Sequence, residues 1–150
     1  MKKLFIYYSH TGNGELVAKE FEKAGYEIRR VYEKAKMPKS FFWQMMVGGF
    51  RAGFGKVGKL INYDNNVEGY DEIVIGSPIW NGKMPPATNA VLKNTDLKDK
   101  NVKFVFYSGS GEGEGAVKKL NELFDNPHIL FLQEPKKYKE NLEKLKDIIK

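Results

Sequence analysis

Short β-prone runs alternate with helical patterns along this chain. Leu4-Phe5-Ile6-Tyr7-Tyr8 is continuously apolar, as expected of a central parallel strand covered on both faces. Leu16, Val17, Phe21 and Ala24 then recur at helical spacing, and Gly25 offers a stop. Tyr26–Val31 is β-prone but more polar, which suits a sheet edge. Ile73-Val74-Ile75-Gly76 and Val102–Tyr107 read as two further buried strands, and Ile129–Leu132 as the last. Helices are predicted from near Pro86 and near Gly115, and a final one carries Tyr138, Leu142, Leu145 and Ile149 on one face. Five strands interleaved with helices in 150 residues predict an α/β fold. Its expected form is a three-layer, doubly wound, five-stranded parallel sheet in a single domain over residues 1–150. One stretch departs from the alternation: Ser40–Leu60 is aromatic and Met-rich, then glycine-rich, and reads as a short helix followed by a flexible crossing.

Composition narrows the chemistry. Apolar residues make up 41% and aromatics 13%, enough to bury a core, so a wholly disordered chain is excluded. The absence of cysteine removes disulfides, iron–sulfur clusters, thiolate zinc sites and a cysteine nucleophile together. His10 and His128 are the two histidines and lie far apart along the chain, which argues against a histidine-rich metal site. Apolar runs such as Leu4–Tyr8 are too short to span a bilayer. The run after Met1-Lys2-Lys3 breaks into Ser9-His10-Thr11-Gly12 with no small-residue cleavage site, so a cytoplasmic protein is expected.

The net charge of +6 is unevenly spread. Between Lys34 and Tyr63 stand Lys34, Lys36, Lys39, Arg51, Lys56 and Lys59, with no Asp or Glu among them. A basic, acid-free segment suits nucleic acid, an anionic membrane surface or an acidic protein partner, or is simply a solvated loop. No recognisable nucleic-acid-reading motif accompanies it.

Three loops that leave carboxyl ends of strands carry the candidate chemistry, because ligands of open α/β sheets bind there. Ser9-His10-Thr11-Gly12-Asn13-Gly14 offers two hydroxyls, two glycines that let the backbone curl, and the amides of a helix start. Those are the parts of a phosphate cradle, and also of an ordinary strand-to-helix turn capped by Thr11. The Gly-Lys-Ser/Thr ending of a Walker loop is missing. In Ser77-Pro78-Ile79-Trp80-Asn81-Gly82-Lys83, Trp80 is a surface on which a flat ring could stack, or else a cap on the core. Asn81-Gly82 adopts positive φ readily, so its peptide has two accessible orientations. The third loop, Ser108-Gly109-Ser110-Gly111-Glu112-Gly113, formally matches a dinucleotide pattern with Gly111, Gly113 and Ala116. Glu112 and Glu114 would repel a pyrophosphate, so its amides suit a neutral ring edge better.

Together these loops, in this order and at compatible spacings over most of the chain, resemble the flavodoxin family. The resemblance implies strand order 2-1-3-4-5 and a non-covalent FMN. Its phosphate would lie on Ser9, His10, Thr11, Gly12, Asn13 and Gly14. Its isoalloxazine would lie between Pro78, Ile79, Trp80, Asn81, Gly82 and Lys83 on one side and Ser108, Gly109, Ser110, Gly111 and Gly113 on the other. In the family, the peptide after the aromatic of the second loop can flip so that its carbonyl accepts a hydrogen bond from the protonated N5 of the half-reduced flavin; here that is Asn81-Gly82. Several residues depart from the pattern. Gly14 stands where the family usually has a hydroxyl residue, His10 where a small or neutral one is common, and the third loop lacks an aromatic for the outer flavin face. That face is then open or covered by Phe41–Phe54. Typical flavodoxins are acidic, whereas this chain is basic, with Lys83 inside the flavin loop.

The function implied is a low-potential one-electron carrier between redox proteins, a reductase and an acceptor, with acidic surfaces on the partners and the chain a monomer or weak dimer. No acid, base or nucleophile stands out beside the proposed ring, which agrees with a carrier that turns over no substrate. A different class on the same fold is an FMN-dependent NAD(P)H:quinone or flavin reductase, or a porphyrin-pathway oxidoreductase; a third is a binding module without flavin. Lys83 bears on the electron-carrier reading. A nearby cation eases the second reduction of the flavin, and each ~1.4 kcal/mol moves a one-electron potential by roughly 59 mV. Lys83→Glu is expected to lower the potential of that step by about a few tens of millivolts in a redox titration, and an unchanged potential would remove Lys83 from the site.

Overall fold

The computed structural model describes residues 1–34 and 57–149. The continuous apolar runs form strands because parallel strands covered on both faces have no solvent side to keep polar. They are β1 (Lys3–Tyr8), β2 (Glu27–Val31), β3 (Glu72–Pro78), β4 (Asn101–Ser108) and β5 (His128–Gln133). All neighbours pair in parallel, in the order β2-β1-β3-β4-β5. Helices α1 (Asn13–Lys23), α2 (Pro86–Asn94) and α3 (Glu114–Leu123) fall where the periodicity predicts them. The sheet order and α/β class thus match the expectation drawn from the sequence. The short helix and crossing expected over Ser40–Leu60, and the cover expected from Phe41–Phe54, lie wholly or mostly outside the described residues.

Alternation along each strand builds two cores. Leu4, Ile6, Ile73, Ile75, Phe104 and Phe106 face one layer, with Met84, Ala87 and Val91 at α2 and Ala116 and Leu120 from α3. Phe5, Tyr7, Val74, Val105 and Tyr107 face the other, with Val17, Ala18 and Phe21 of α1. Each fully buried large apolar side chain contributes roughly 1.5–3 kcal/mol. At the amino ends of the strands, the buried Glu72 carboxylate is held by the Lys103 ammonium at 2.6 Å, by the Asn101 amide at 3.3 Å and by the Tyr26 hydroxyl. Burial, then the hydrogen bond to that carboxylate, pushes the Tyr26 hydroxyl pKa above its ordinary value, so it remains a donor.

The last helix corrects the sequence reading. Lys139–Asp147 is a 3₁₀ helix, not an α-helix. Three residues per turn bring Leu142, Leu145 and Ile148 onto one side, so Ile148 is fully buried while Ile149 is only partly covered. The spacing of Tyr138, Leu142, Leu145 and Ile149 anticipates an apolar face but assigns it the wrong period.

Gly76 fixes the centre of the sheet. A Cβ there would lie 2.5 Å from Phe5 Cζ and 3.2 Å from Tyr7 Cβ. Phe5 uses that space to stack on Phe21, with ring centroids 4.2 Å apart. Gly76→Ala should therefore destabilise the fold by about 1–3 kcal/mol, read as a lower denaturant midpoint at unchanged slope.

Candidate functional site

Parallel pairing sends the ends of β1, β3, β4 and β5 to one edge, and the three loops meet there. The first turn is shaped by Gly12, whose φ of 95° places it in the left-handed region as the N-cap of α1. Thr11 is therefore not the cap. The capping oxygen comes from further back: Ser9 Oγ accepts the Gly14 N–H at 3.1 Å and donates to Glu15 Oε2 at 2.8 Å. Arg30 of β2 pairs with the other oxygen of Glu15 at 2.6 Å. Asn13 Nδ2 donates to Thr11 Oγ1 at 3.3 Å. The main-chain amides of Thr11, Gly12 and Asn13 donate to no protein acceptor among the described residues. They are the unpaired N–H groups of a helix start, where an anion is favoured.

Gly14 is explained by its surroundings. A Cβ on it would sit 2.5 Å from Ser9 Cβ and 2.7 Å from the Tyr107 hydroxyl oxygen. Tyr107 rises from β4, is buried, and donates to the Tyr8 carbonyl; burial pushes its hydroxyl pKa well up. A hydroxyl side chain at this position has no room beside it. Gly14→Thr is expected to cost roughly 1–3 kcal/mol in chemical denaturation, so a hydroxyl side chain there weakens the protein.

The second loop is a two-residue hairpin turn. Asn81 and Gly82 both have positive φ, 52° and 74°, and Trp80 and Lys83 exchange main-chain hydrogen bonds at 2.9 and 3.0 Å. That is the turn Asn-Gly favours. The Gly82 carbonyl accepts the Ala116 N–H at 3.0 Å, which ties this loop to the start of α3. The Asn81 carbonyl accepts no protein hydrogen bond among the described residues. Trp80 is only 9% exposed, and its indole meets Tyr8 and His10 edge-on, at 6.0 and 5.9 Å between centroids. Nε2 of His10 is buried there without a partner among the described residues.

Between the second and third loops lies a pocket of about 400 Å³, lined by Ile79, Asn81, Gly82, Ser108, Gly109, Ser110, Glu112, Gly113 and Glu114. Ser108 is buried, and its Oγ has no hydrogen-bond partner among the described residues. Pro78 ends β3 beside it, and Gly111, with φ of 77°, turns the third loop. Trp80 and the first turn are outside this lining, so the structure joins two of the expected loops in one cavity and sets the third alongside. A larger cleft of about 690 Å³ lies at the opposite edge, around Leu97, Asn101 and His128. It faces the amino ends of β4 and β5, away from the edge where open parallel sheets bind ligands.

The segment after β5 lies outside the three loops expected to form the site, yet it touches two of them. Gln133 Nε2 donates to the Gly109 carbonyl at 3.2 Å and the Glu134 N–H to the Ser108 carbonyl at 3.1 Å. Lys136 reaches the first turn: its N–H donates to Asn13 Oδ1 at 2.9 Å and its ammonium to the Thr11 carbonyl at 3.3 Å. This segment thus holds two of the three loops. The available signal was its position directly after a strand, at the carboxyl edge.

No family model matches the chain, and no curated protein matches it. Solved structures do. A candidate flavoprotein from Bacteroides eggerthii aligns with a TM-score of 0.75 at 18% identity, over 99% of this chain and 97% of its own. A Lactobacillus acidophilus flavoprotein in complex with FMN aligns with a TM-score of 0.66 at 22% identity, over 93% and 97%. Oxidised flavodoxin 1 from Bacillus cereus gives 0.51 at 16% identity, over 99% and 94%. With its sheet order and these likenesses, the chain has the flavodoxin-like fold.

Proposed function

We propose that this chain binds FMN non-covalently and carries single electrons between redox proteins. The observation that bears the reading is the coincidence, at one sheet edge, of an unpaired set of helix-start amides with a pocket containing a buried, unpartnered hydroxyl. The first suits a monoester anion and the second a polar ring edge. FMN is the ligand of the Lactobacillus acidophilus protein of this fold.

In this reading, Thr11, Gly12 and Asn13 would hold the phosphate through their amides, with Ser9, His10 and Gly14 shaping the turn. Pro78, Ile79, Asn81, Gly82 and Lys83 would flank the ring on one side, and Ser108, Gly109, Ser110, Gly111 and Gly113 on the other. FMN, when bound, supplies reversible one-electron chemistry. The residues do the rest. The Asn81 carbonyl would be available to accept a hydrogen bond from the ring, and Ser108 Oγ would partner its polar edge. Trp80, which meets the His10 imidazole edge-on, would supply an aromatic contact to the ring. Lys83, Lys118 and Lys136 stand around these loops, a charge pattern that fits partners with acidic docking surfaces. No helix of the described residues is long and apolar enough to cross a membrane.

Adding FMN to the apoprotein should quench tryptophan emission and saturate at one equivalent. Trp80→Phe, which keeps an aromatic ring in the core, should weaken FMN binding about three- to tenfold, an aromatic pair being worth ~0.5–1.5 kcal/mol. A chain that gives no calorimetric heat with FMN would end the flavin reading. Steady NAD(P)H oxidation with a quinone, without an added reductase, would replace the carrier by the FMN-dependent oxidoreductase.

A further inference from the structure

We propose that Lys136 reads the phosphate, making the site select a flavin monoester over the uncharged riboflavin. This rests on the flavin reading above and adds to it the residue that sets ligand charge. Lys136 follows the edge strand β5, yet it is fastened to the first turn at two points. Its N–H is held by Asn13 Oδ1 at 2.9 Å, and its Nζ lies 3.3 Å from the Thr11 carbonyl. The ammonium is thereby set over the turn whose amides face outward: a Cβ placed on Gly12 would be 3.5 Å from Lys136 Nζ.

The surrounding charges leave this cation as the one with work to do. Glu15 is the nearest acid, its Oε2 3.8 Å from the same Gly12 position. It is already neutralised by Arg30 at 2.6 Å and occupied by Ser9 at 2.8 Å. Lys136 forms no ion pair among the described residues; its ammonium has three donors, and one goes to a neutral carbonyl. Two remain for an incoming anion. The helix start supplies partial positive charge, and a full cation beside it raises the preference for a dianion over a neutral hydroxyl. The fastening also limits the entropy lost on binding, because the Lys136 main chain is already fixed by Asn13.

The side chain can be changed without losing that fastening, since the Asn13 bond comes from the Lys136 backbone. The test is titration of apoprotein with FMN and, separately, with riboflavin, for wild type, Lys136→Gln and Lys136→Arg at two salt concentrations. Lys136→Gln should weaken FMN about three- to tenfold and leave riboflavin unchanged, as expected for a partly screened charge pair with a dianion. Its FMN affinity should also fall less steeply with salt. Lys136→Arg should stay within about twofold of wild type, because the charge is kept. Thermal midpoints should be equal for all three. An unchanged FMN affinity in Lys136→Gln, or equal losses for both flavins, would overturn the role of Lys136 while leaving the flavin reading intact. A wild type that takes up neither flavin would overturn that reading itself.

Discussion

The structure depends on burial of β1, β3 and β4 from both sides. Strands with no solvent face must be covered by two helical layers, and parallel neighbours can be joined only by crossovers that pass through those layers. Once that is satisfied, loops after β1, β3, β4 and β5 all leave at one edge. The alternation of Leu4, Ile6 and Tyr8 against Phe5 and Tyr7 shows how directly the constraint is written in the side chains. Gly76 is its sharpest expression, because the Phe5 ring occupies the volume a side chain would need. The edge is then free to hold residues that contribute little to the core: glycines, Asn81 in a left-handed conformation, and Ser108 with its unanswered hydroxyl.

Polarity is divided between the two ends of the sheet. At the amino end, a buried carboxylate is fully answered by Lys103, Asn101 and Tyr26, as a charge removed from water has to be. At the carboxyl end, amides and a hydroxyl are left without partners among the described residues. A closed polar network stabilises one arrangement; an open one is complete only with something added. The contrast within a single molecule is a stronger pointer to a ligand site than either loop composition or cavity size, and the larger cleft lies at the wrong end.

Much of the fold was legible because its strands are of the kind sequence shows best. Continuous apolar runs such as Ile73-Val74-Ile75 have few alternatives, and Gly25 and Pro86 mark helix limits through backbone chemistry alone. The terminal helix was less legible, since apolar spacings of three and four occur together there and only packing decides between Ile148 and Ile149. In the site, the loops could be found from residue types that favour turns and anions. Lys136 and Tyr107 could not: one is brought to Thr11 across 125 positions and the other to Tyr8 across 99, and such contacts exist only after the strands have been ordered. His10 is a similar case. The resemblance places it with the phosphate turn, whereas the structure turns its ring against the indole of the second loop.

The 3₁₀ geometry of Lys139–Asp147 has a further consequence. Such a helix is less well hydrogen-bonded than an α-helix and presents a narrow apolar ridge. Asn141 projects from it to accept the Gln133 N–H at 3.0 Å, at the root of the segment that grips the loops. This helix therefore joins the rim of the cradle to the sheet: Asn141 holds the end of β5 while Leu145 and Ile148 are buried in the second core. Loosening of this helix would disturb the rim and the second core together, so capture of a ligand and integrity of the fold share part of their free energy.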